Sequence, residues 1–192
     1  METLEDAIVR CKEGDLEPFT RVYDAYVDKV YRFIYYKTLH RQTAEDLTSA
    51  TFLKAIQHLK SFQTTKGTFQ AWIYKIARNT VIDHYRSRKE QVDVEDFWDL
   101  ASKEDVEHDV EVYQQLEDVE EYLFALKPKQ REIMILRIWN QLSYKEIAAI
   151  LNMTEANAKM TFSRVLRELR KQFGAEALML LALTTTSLWL QR

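Results

Sequence analysis

The chain has 192 residues, of which 46% are apolar and 30% charged, as in an ordinary globular protein. At roughly 100–200 residues per domain, this length allows no more than two small domains. Three glycines and two prolines are too few for the tight turns of a sandwich, barrel or doubly wound sheet, and they exclude collagen-like and low-complexity classes. We therefore expect an all-α fold.

The formal net charge of −3 conceals a basic–acidic–basic arrangement. Residues 1–90 hold 15 basic and 12 acidic residues, residues 91–122 hold one and 13, and residues 123–174 hold ten and four. Such blocks indicate two modules joined by an acidic connection. The expected division is a first domain, an acidic linker, a second domain and an apolar tail of unassigned role, over 1–90, 91–110, 111–174 and 175–192.

The N-terminus, the single cysteine and the longest apolar run bear on location. Cys11 is the only cysteine and has no partner for a disulfide within the chain, which fits a reducing cytoplasm. The acidic N-terminus lacks the apolar core of a signal peptide. The longest apolar run, over 175–190, falls short of the ~18 residues that span a bilayer. We expect a cytoplasmic protein without an integral membrane segment.

Apolar periodicity predicts helices in the first half of the chain. One stripe runs over 19–34, and a second helix is expected over 44–59. Residues 60–67 form a predicted loop, after which Thr68 can cap a further helix. That helix should end in the basic run 86–89, which suits a helix C-terminus.

Residues 143–171 carry the most specific pattern, a helix-turn-helix. Ser143 and Glu146 form a capping box, Asn152 tolerates the left-handed conformation that ends a helix, and Thr154 can cap the second helix. One face of the second helix is apolar, and the other shows Asn157, Lys159, Thr161, Ser163, Arg164, Arg167 and Arg170. A groove-reading helix needs such polar and basic side chains, although an ordinary helical hairpin with a solvated charged face also fits.

The segment 62–89 mixes aromatic and basic side chains, a combination that binds unstacked single-stranded bases. The aromatic members are Phe62, Phe69, Trp72, Tyr74 and Tyr85. Several of these must instead belong to the core, and Trp72 is the first candidate because it lies beside the apolar stripe of its helix.

Three motifs in fixed order resemble those of extracytoplasmic-function (ECF) sigma factors, over roughly residues 10–173. They are the runs 44–55, 69–86 and 142–148, the last followed by the predicted recognition helix. The resemblance implies two small helical domains joined by an acidic linker, the C-terminal one a helix-turn-helix. It also implies a non-enzymatic factor that binds core RNA polymerase and directs initiation from the −10 and −35 promoter elements. Such a factor needs no cofactor and no small-molecule substrate, and an anti-sigma factor is an expected partner.

The resemblance assigns residues to three contacts. The −35 contact falls on Asn157, Lys159, Met160, Ser163, Arg164 and Arg167. The −10 contact, which includes capture of a flipped-out base, falls on Phe62, Lys66, Phe69, Lys75, Arg78, Asn79 and Arg86. The polymerase contact falls on Asp46, Thr51, Phe52 and Lys54, although Phe52 fits core packing equally well.

Some positions depart from the family pattern or have a structural interpretation. Ser49 and Ala50 stand where the family usually has Gln-Glu, and Thr161 stands where arginine is frequent. Asp83 is expected to be structural and to pair with a nearby basic residue such as Arg86.

Two other functions stay open at this point. The chain could be a helix-turn-helix transcriptional regulator, or a protein-binding regulator that imitates a sigma factor. An enzyme is not expected, because the four histidines lack metal-ligand spacing and the sequence has no Gly-rich phosphate loop or nucleophile elbow.

Overall fold

The computed structural model forms two compact units, Met1–Ser102 and Lys103–Arg192. The described residues are 3–88, 119 and 121–174. The regular elements within them are all helices, which confirms the all-α prediction. The predicted acidic linker and the apolar tail lie outside the described residues. No helix in the described part of the chain is long and apolar enough to cross a membrane.

The first unit contains four α-helices: α1 (Leu4–Glu13), α2 (Phe19–Thr38), α3 (Arg41–His58) and α4 (Phe69–Arg88). Two short 3-10 helices, Leu59–Ser61 and Thr64–Lys66, lie in the connection that the sequence predicts as a loop. Thr68 caps α4 as predicted, because its hydroxyl oxygen accepts the backbone N–H of Ala71 at 3.2 Å. The three helices predicted in this unit are thereby confirmed.

Helix α1 is an element that the sequence analysis missed. Its first turn is a capping box, in which Asp6 N–H donates to Thr3 Oγ1 at 3.1 Å and Thr3 N–H donates to an Asp6 carboxylate oxygen at 2.9 Å. Gly14 ends the helix with φ 108°, a left-handed conformation that favours glycine. The buried face of α1 is Ala7, Ile8 and Cys11.

Helices α2, α3 and α4 enclose the core of the first unit. Phe33 and Tyr74 are fully buried and meet edge to face, with ring centroids 5.2 Å apart. The other apolar side chains of these three helices with no exposed surface are Val30, Ile34, Ala44, Ala55, Ile73 and Ala77. This apolar burial between three long helices is the main stabilising term for the unit.

The second unit contains α5 (121–125), α6 (Pro128–Ile138), α7 (Tyr144–Leu151) and α8 (Glu155–Phe173). Its core includes Ile133, Met134, Leu136, Leu142, Ile147 and Leu169. Buried Arg131 of α6 donates to the backbone carbonyls of Leu123, Phe124 and Leu126. The guanidinium thus binds carbonyls at and just beyond the C-terminal end of α5 and connects α6 to that end.

Candidate nucleic-acid interface

Helix α8 divides into a buried stripe and an exposed polar half. Its buried residues are Ala158, Val165 and Leu169. The residues predicted for the −35 contact are all exposed: Asn157, Lys159, Met160, Ser163, Arg164 and Arg167. Five basic and two acidic residues give the helix a net charge of +3. The structure therefore brings the whole predicted set onto the outer half of one basic helix.

The turn before α8 has the local structure that the sequence predicts. Ser143 Oγ accepts the N–H of Glu146 at 3.2 Å, and a Glu146 carboxylate oxygen accepts the N–H of Ser143 at 2.8 Å. Asn152 is left-handed, with φ 50° and ψ 55°. Thr154 Oγ1 accepts the N–H of Asn157 at 3.2 Å. Ser143 thus begins α7, Asn152 ends it and Thr154 begins α8, so the turn between the two helices is bounded by Asn152 and Thr154.

Arg137 is a positioning residue that the sequence analysis missed. Its guanidinium donates to the carbonyl of Leu142 at 2.8 Å and lies 4.7 Å from the centroid of the Tyr144 ring. The Tyr144 ring in turn meets the Phe162 ring of α8 at 5.8 Å. Arg137 thus connects α6 through α7 to the candidate recognition helix, by a hydrogen bond and a cation–π contact.

Thr161 supports a neighbouring polar side chain. Its hydroxyl donates to Asn157 Oδ1 at 3.4 Å, one helical turn earlier. This contact engages the amide oxygen and leaves the two amide hydrogens of Asn157 as donors toward the exposed side. Thr161 therefore orients the Asn157 side chain. An arginine at this position, as is frequent in the family, would instead supply a positive charge.

An aromatic cluster closes the loop between α3 and α4. Phe62 and Phe69 flank the segment 63–68, and their rings meet edge to face at 5.5 Å. Trp72 lies 5.4 and 5.3 Å from these two rings, and Tyr26 of α2 lies 5.4 Å from Phe69. Phe62 is 4% exposed and Phe69 6%. In this position the two rings hold the ends of the loop together and present no open face to a base.

The exposed part of this loop is polar. Gln63, Thr64, Thr65 and Thr68 are exposed, while the side chain of Lys66 lies outside the described residues. From α1, Lys12 Nζ lies 5.8 Å from the centroid of Phe62. The sequence analysis missed this contact because it joins residues 50 positions apart, across an element that it had not predicted.

The remaining −10 residues lie along α4. Lys75, Asn79 and Arg86 are exposed, and at about 100° per residue they fall within about 40° of one another around the helix. Arg78 is half-buried and lies at the margin of this face. The structure therefore brings three polar side chains into one row on the outside of α4.

The residues predicted for the polymerase contact divide between core and surface. Thr51 and Phe52 are buried: Thr51 Oγ1 donates to the carbonyl of Leu47 at 2.7 Å, and the Phe52 ring lies 4.7 Å from that of Tyr23. Phe52 therefore packs against α2 through the Tyr23 ring, Thr51 is buried within the unit, and neither side chain lies at the surface where the sequence analysis placed the polymerase contact. Asp46 is exposed and Lys54 half-exposed.

The outer face of α3 shows a residue that the sequence analysis did not select. Leu53 is 58% exposed and follows Asp46 by seven positions, so the two lie on one face with Ser49 and Ala50. The i, i+3, i+4, i+7 spacing from Asp46 was the available signal. We define the α3 outer face as Asp46, Ser49, Ala50 and Leu53.

Asp83 pairs with a different basic residue from the one expected. Its carboxylate accepts from Lys54 Nζ at 3.3 Å, whereas the sequence suggested Arg86. Lys54 approaches because α3 packs against α4, and a tertiary partner of this kind is invisible to local spacing. The pair is solvent-accessible and so contributes little to stability.

Two carboxyl groups near α1 are shifted by their hydrogen bonds. The guanidinium of Arg10 donates to Asp15 at 3.0 Å and lowers the pKa of that carboxyl. The hydroxyl of Thr3 lowers the pKa of Asp6 in the capping box. Among the described residues, no group of His, Cys, Asp and Glu side chains is arranged to hold a metal ion.

Each of the two units matches a known protein family. Residues 22–91 match the family Sigma-70 region 2, and residues 116–169 match Sigma-70, region 4. The ECF RNA polymerase sigma factor SigM of Bacillus subtilis is 32% identical over 159 residues, which cover 80% of this chain and 93% of SigM. The chain belongs to the ECF RNA polymerase sigma factors. The family predicted from three motifs is confirmed, and with it a role in promoter-directed transcription initiation.

Other ECF sigma factors extend the likeness. BldN of Streptomyces coelicolor is 34% identical over 176 residues, which cover 90% of this chain and 66% of BldN. The sigma factor RpoE, solved in complex with the anti-sigma factor NepR from Bartonella quintana, has a TM-score of 0.63 at 25% identity. That match covers 82% of this chain and 98% of the RpoE chain.

Proposed function

We propose that this sigma factor binds core RNA polymerase and recognises two promoter elements, the −35 element with α8 and the −10 element with the α3–α4 loop and α4. The exposed basic half of α8, within the segment that matches Sigma-70 region 4, carries the proposal. The proposal keeps the division predicted from the sequence, with 1–90 and 111–174 as the binding modules and 91–110 as an acidic linker.

At the −35 element, α8 enters the major groove with its N-terminal half toward the bases. Arg164 is the best placed to pair with a guanine, because arginine donates to both acceptors of that base edge. Lys159 and Arg167 flank it and contact phosphates, which position the helix and make binding dependent on salt.

At the −10 element, the exposed segment 63–68 receives a base that has left the stack, and Lys75, Asn79 and Arg86 follow the strand along α4. Flipping a base costs a few kcal/mol. Hydrogen bonds from polar loop atoms and the attraction of cations to the strand offset that cost. Phe62 and Phe69 act as anchors beneath the loop. The factor therefore acts by binding, without a chemical step of its own.

The polymerase contact falls on the α3 outer face. Exposed Leu53 supplies an apolar anchor, and Asp46 supplies a charge at the other end of the face. Both side chains lie on one exposed face of α3, so a single partner can contact them together. An anti-sigma factor, as in the RpoE complex, is a further partner, and the site of action is the cytoplasm, where the polymerase works.

Two variants of the full chain test the polymerase contact. Leu53→Asp should abolish association with purified core polymerase, measured by fluorescence anisotropy, while its circular dichroism and melting stay unchanged. Leu16→Asp, the same substitution at a leucine outside α3 that is 50% exposed, serves as the control. Equal binding of polymerase by Leu53→Asp and wild type would refute the assignment of this face.

A further inference from the structure

We infer that Met160 contacts the C5-methyl group of a thymine in the −35 element. The inference deepens the proposed function, on which it rests. Met160 is 60% exposed, and among the described residues of the second unit no other large apolar side chain is as open to solvent. At this exposure the side chain is open to contact by a partner.

The position of Met160 on α8 points to the DNA base edges. At about 100° per residue, it lies about 200° around the helix from buried Ala158, opposite the stripe that packs on the unit. Asn157 and Arg164 lie one turn to either side of it, and both are exposed. Met160 therefore occupies the middle of the outward face, where a helix in the major groove approaches the bases most closely.

The surrounding charge selects duplex DNA over an apolar protein partner. Lys159, Arg164 and Arg167 are exposed around Met160, and the whole helix carries five basic and two acidic residues. This cationic surface complements a phosphate backbone.

The chemistry of the groove then identifies the atom that Met160 contacts. In the major groove, the C5-methyl group of thymine is the apolar feature that the four unmodified bases offer. The amide and guanidinium neighbours recognise hydrogen-bonding atoms and cannot distinguish a methyl group from hydrogen. A methionine side chain is apolar, unbranched and rotates about three bonds, so it can cover such a group without a preformed pocket.

Replacement of thymine by deoxyuridine tests the inference, since it removes only the methyl group. Full-length protein assembled with core polymerase is titrated with duplexes of a promoter that it uses, each with one −35 thymine replaced on either strand. We expect one replacement to weaken binding by roughly fourfold, the effect of about one buried methyl-sized group. In Met160→Ala that replacement should have no effect, whereas Met160→Leu, which stays apolar, and Lys171→Ala, outside the predicted −35 set, should retain it.

Several results would overturn the inference. They are a −35 element without thymine, a wild-type protein indifferent to every replacement, and a deoxyuridine effect of equal size in Met160→Ala. Each of these results leaves the proposed function intact, because the unmodified promoter duplex is still bound. Loss of binding to every promoter duplex would instead refute the proposed function itself.

Discussion

The two units present their candidate DNA contacts in opposite ways. In the second unit, all six predicted residues project from the exposed half of one helix. In the first unit, Phe62 and Phe69 are buried beneath an exposed polar loop, and the row on α4 lies outside the core. The difference matches the two tasks. Base edges in a duplex are reached by side chains on a rigid helix, whereas an extruded base needs a loop whose ends are held in place.

This comparison predicts which substitutions affect stability and which affect recognition. Changes on the outer half of α8 should alter DNA binding and leave folding unchanged, since the side chains there pack on little else. Changes in the aromatic cluster should destabilise the first unit and disturb the loop. Hydrogen exchange followed by mass spectrometry measures the two units separately within the full chain.

The largest effect is expected from Phe62→Ala. Removal of a buried ring that packs on Phe69 and Trp72 should lower the free energy of unfolding of the first unit by about 3–5 kcal/mol. The second unit should keep its wild-type exchange rates. Gln63→Ala, at the exposed neighbouring position, should stay within about 0.5 kcal/mol of wild type. A change below about 1 kcal/mol in Phe62→Ala would mean that the cluster does not anchor the loop.

Next comes Arg164→Ala, which should cost about 1–3 kcal/mol of discrimination at one −35 base pair. Its melting temperature should equal that of wild type, because Arg164 is exposed. Competition binding against single base-pair variants of the element measures the discrimination. Lys171→Ala removes the same charge near the other end of α8 and is the matched control. Equal selectivity in Arg164→Ala and wild type would exclude a base contact by this residue.

A smaller effect is expected from Ser143→Ala, which removes the N-cap of α7. Loss of the bond from Glu146 N–H should cost about 1 kcal/mol, within the range of about 0.5–2 kcal/mol for such caps. The expected signature is faster exchange in the first turn of α7. Ser163→Ala removes the same hydroxyl from an exposed helical surface and should cost almost nothing. If Ser143→Ala and Ser163→Ala lower the free energy of unfolding equally, the capping box does not stabilise α7.

The smallest effect is a pH dependence confined to the first unit. The pKa of Asp15 is lowered by the hydrogen bond from Arg10, so its contribution is complete above the unfolded value of about 3.9. The contribution is lost as pH falls through the lower folded value. As the pH is lowered, the first unit of wild type should therefore lose more stability than that of Asp15→Asn. Hydrogen exchange at each pH measures this loss. If the stabilities of the two proteins fall in parallel as the pH is lowered, the lowered pKa of Asp15 is contradicted.

Local features of the helix-turn-helix could be predicted because their causes are local. The Ser143 capping box, left-handed Asn152 and the Thr154 cap each depend on residues within a few positions, and all three are present. The outward half of α8 followed from periodicity in the same way.

Other features depend on contacts between distant residues and could not be predicted. Phe62 and Phe69 looked like stacking platforms in the sequence, and only their contacts with α1 and α2 place them in the core. Asp83 found its partner 29 positions away. Helix α1 differs: its Thr3–Asp6 box and Gly14 were readable in the sequence and were overlooked.

Transcription start mapping tests the central claim most directly. Purified full-length protein is added to bacterial core RNA polymerase on a pool of genomic promoter fragments, and the 5′ ends of the transcripts are sequenced. We predict discrete new starts that depend on the protein and share two sequence elements at constant spacing. Binding of the protein to duplex DNA without polymerase, together with no new starts in its presence, would contradict a sigma-factor function.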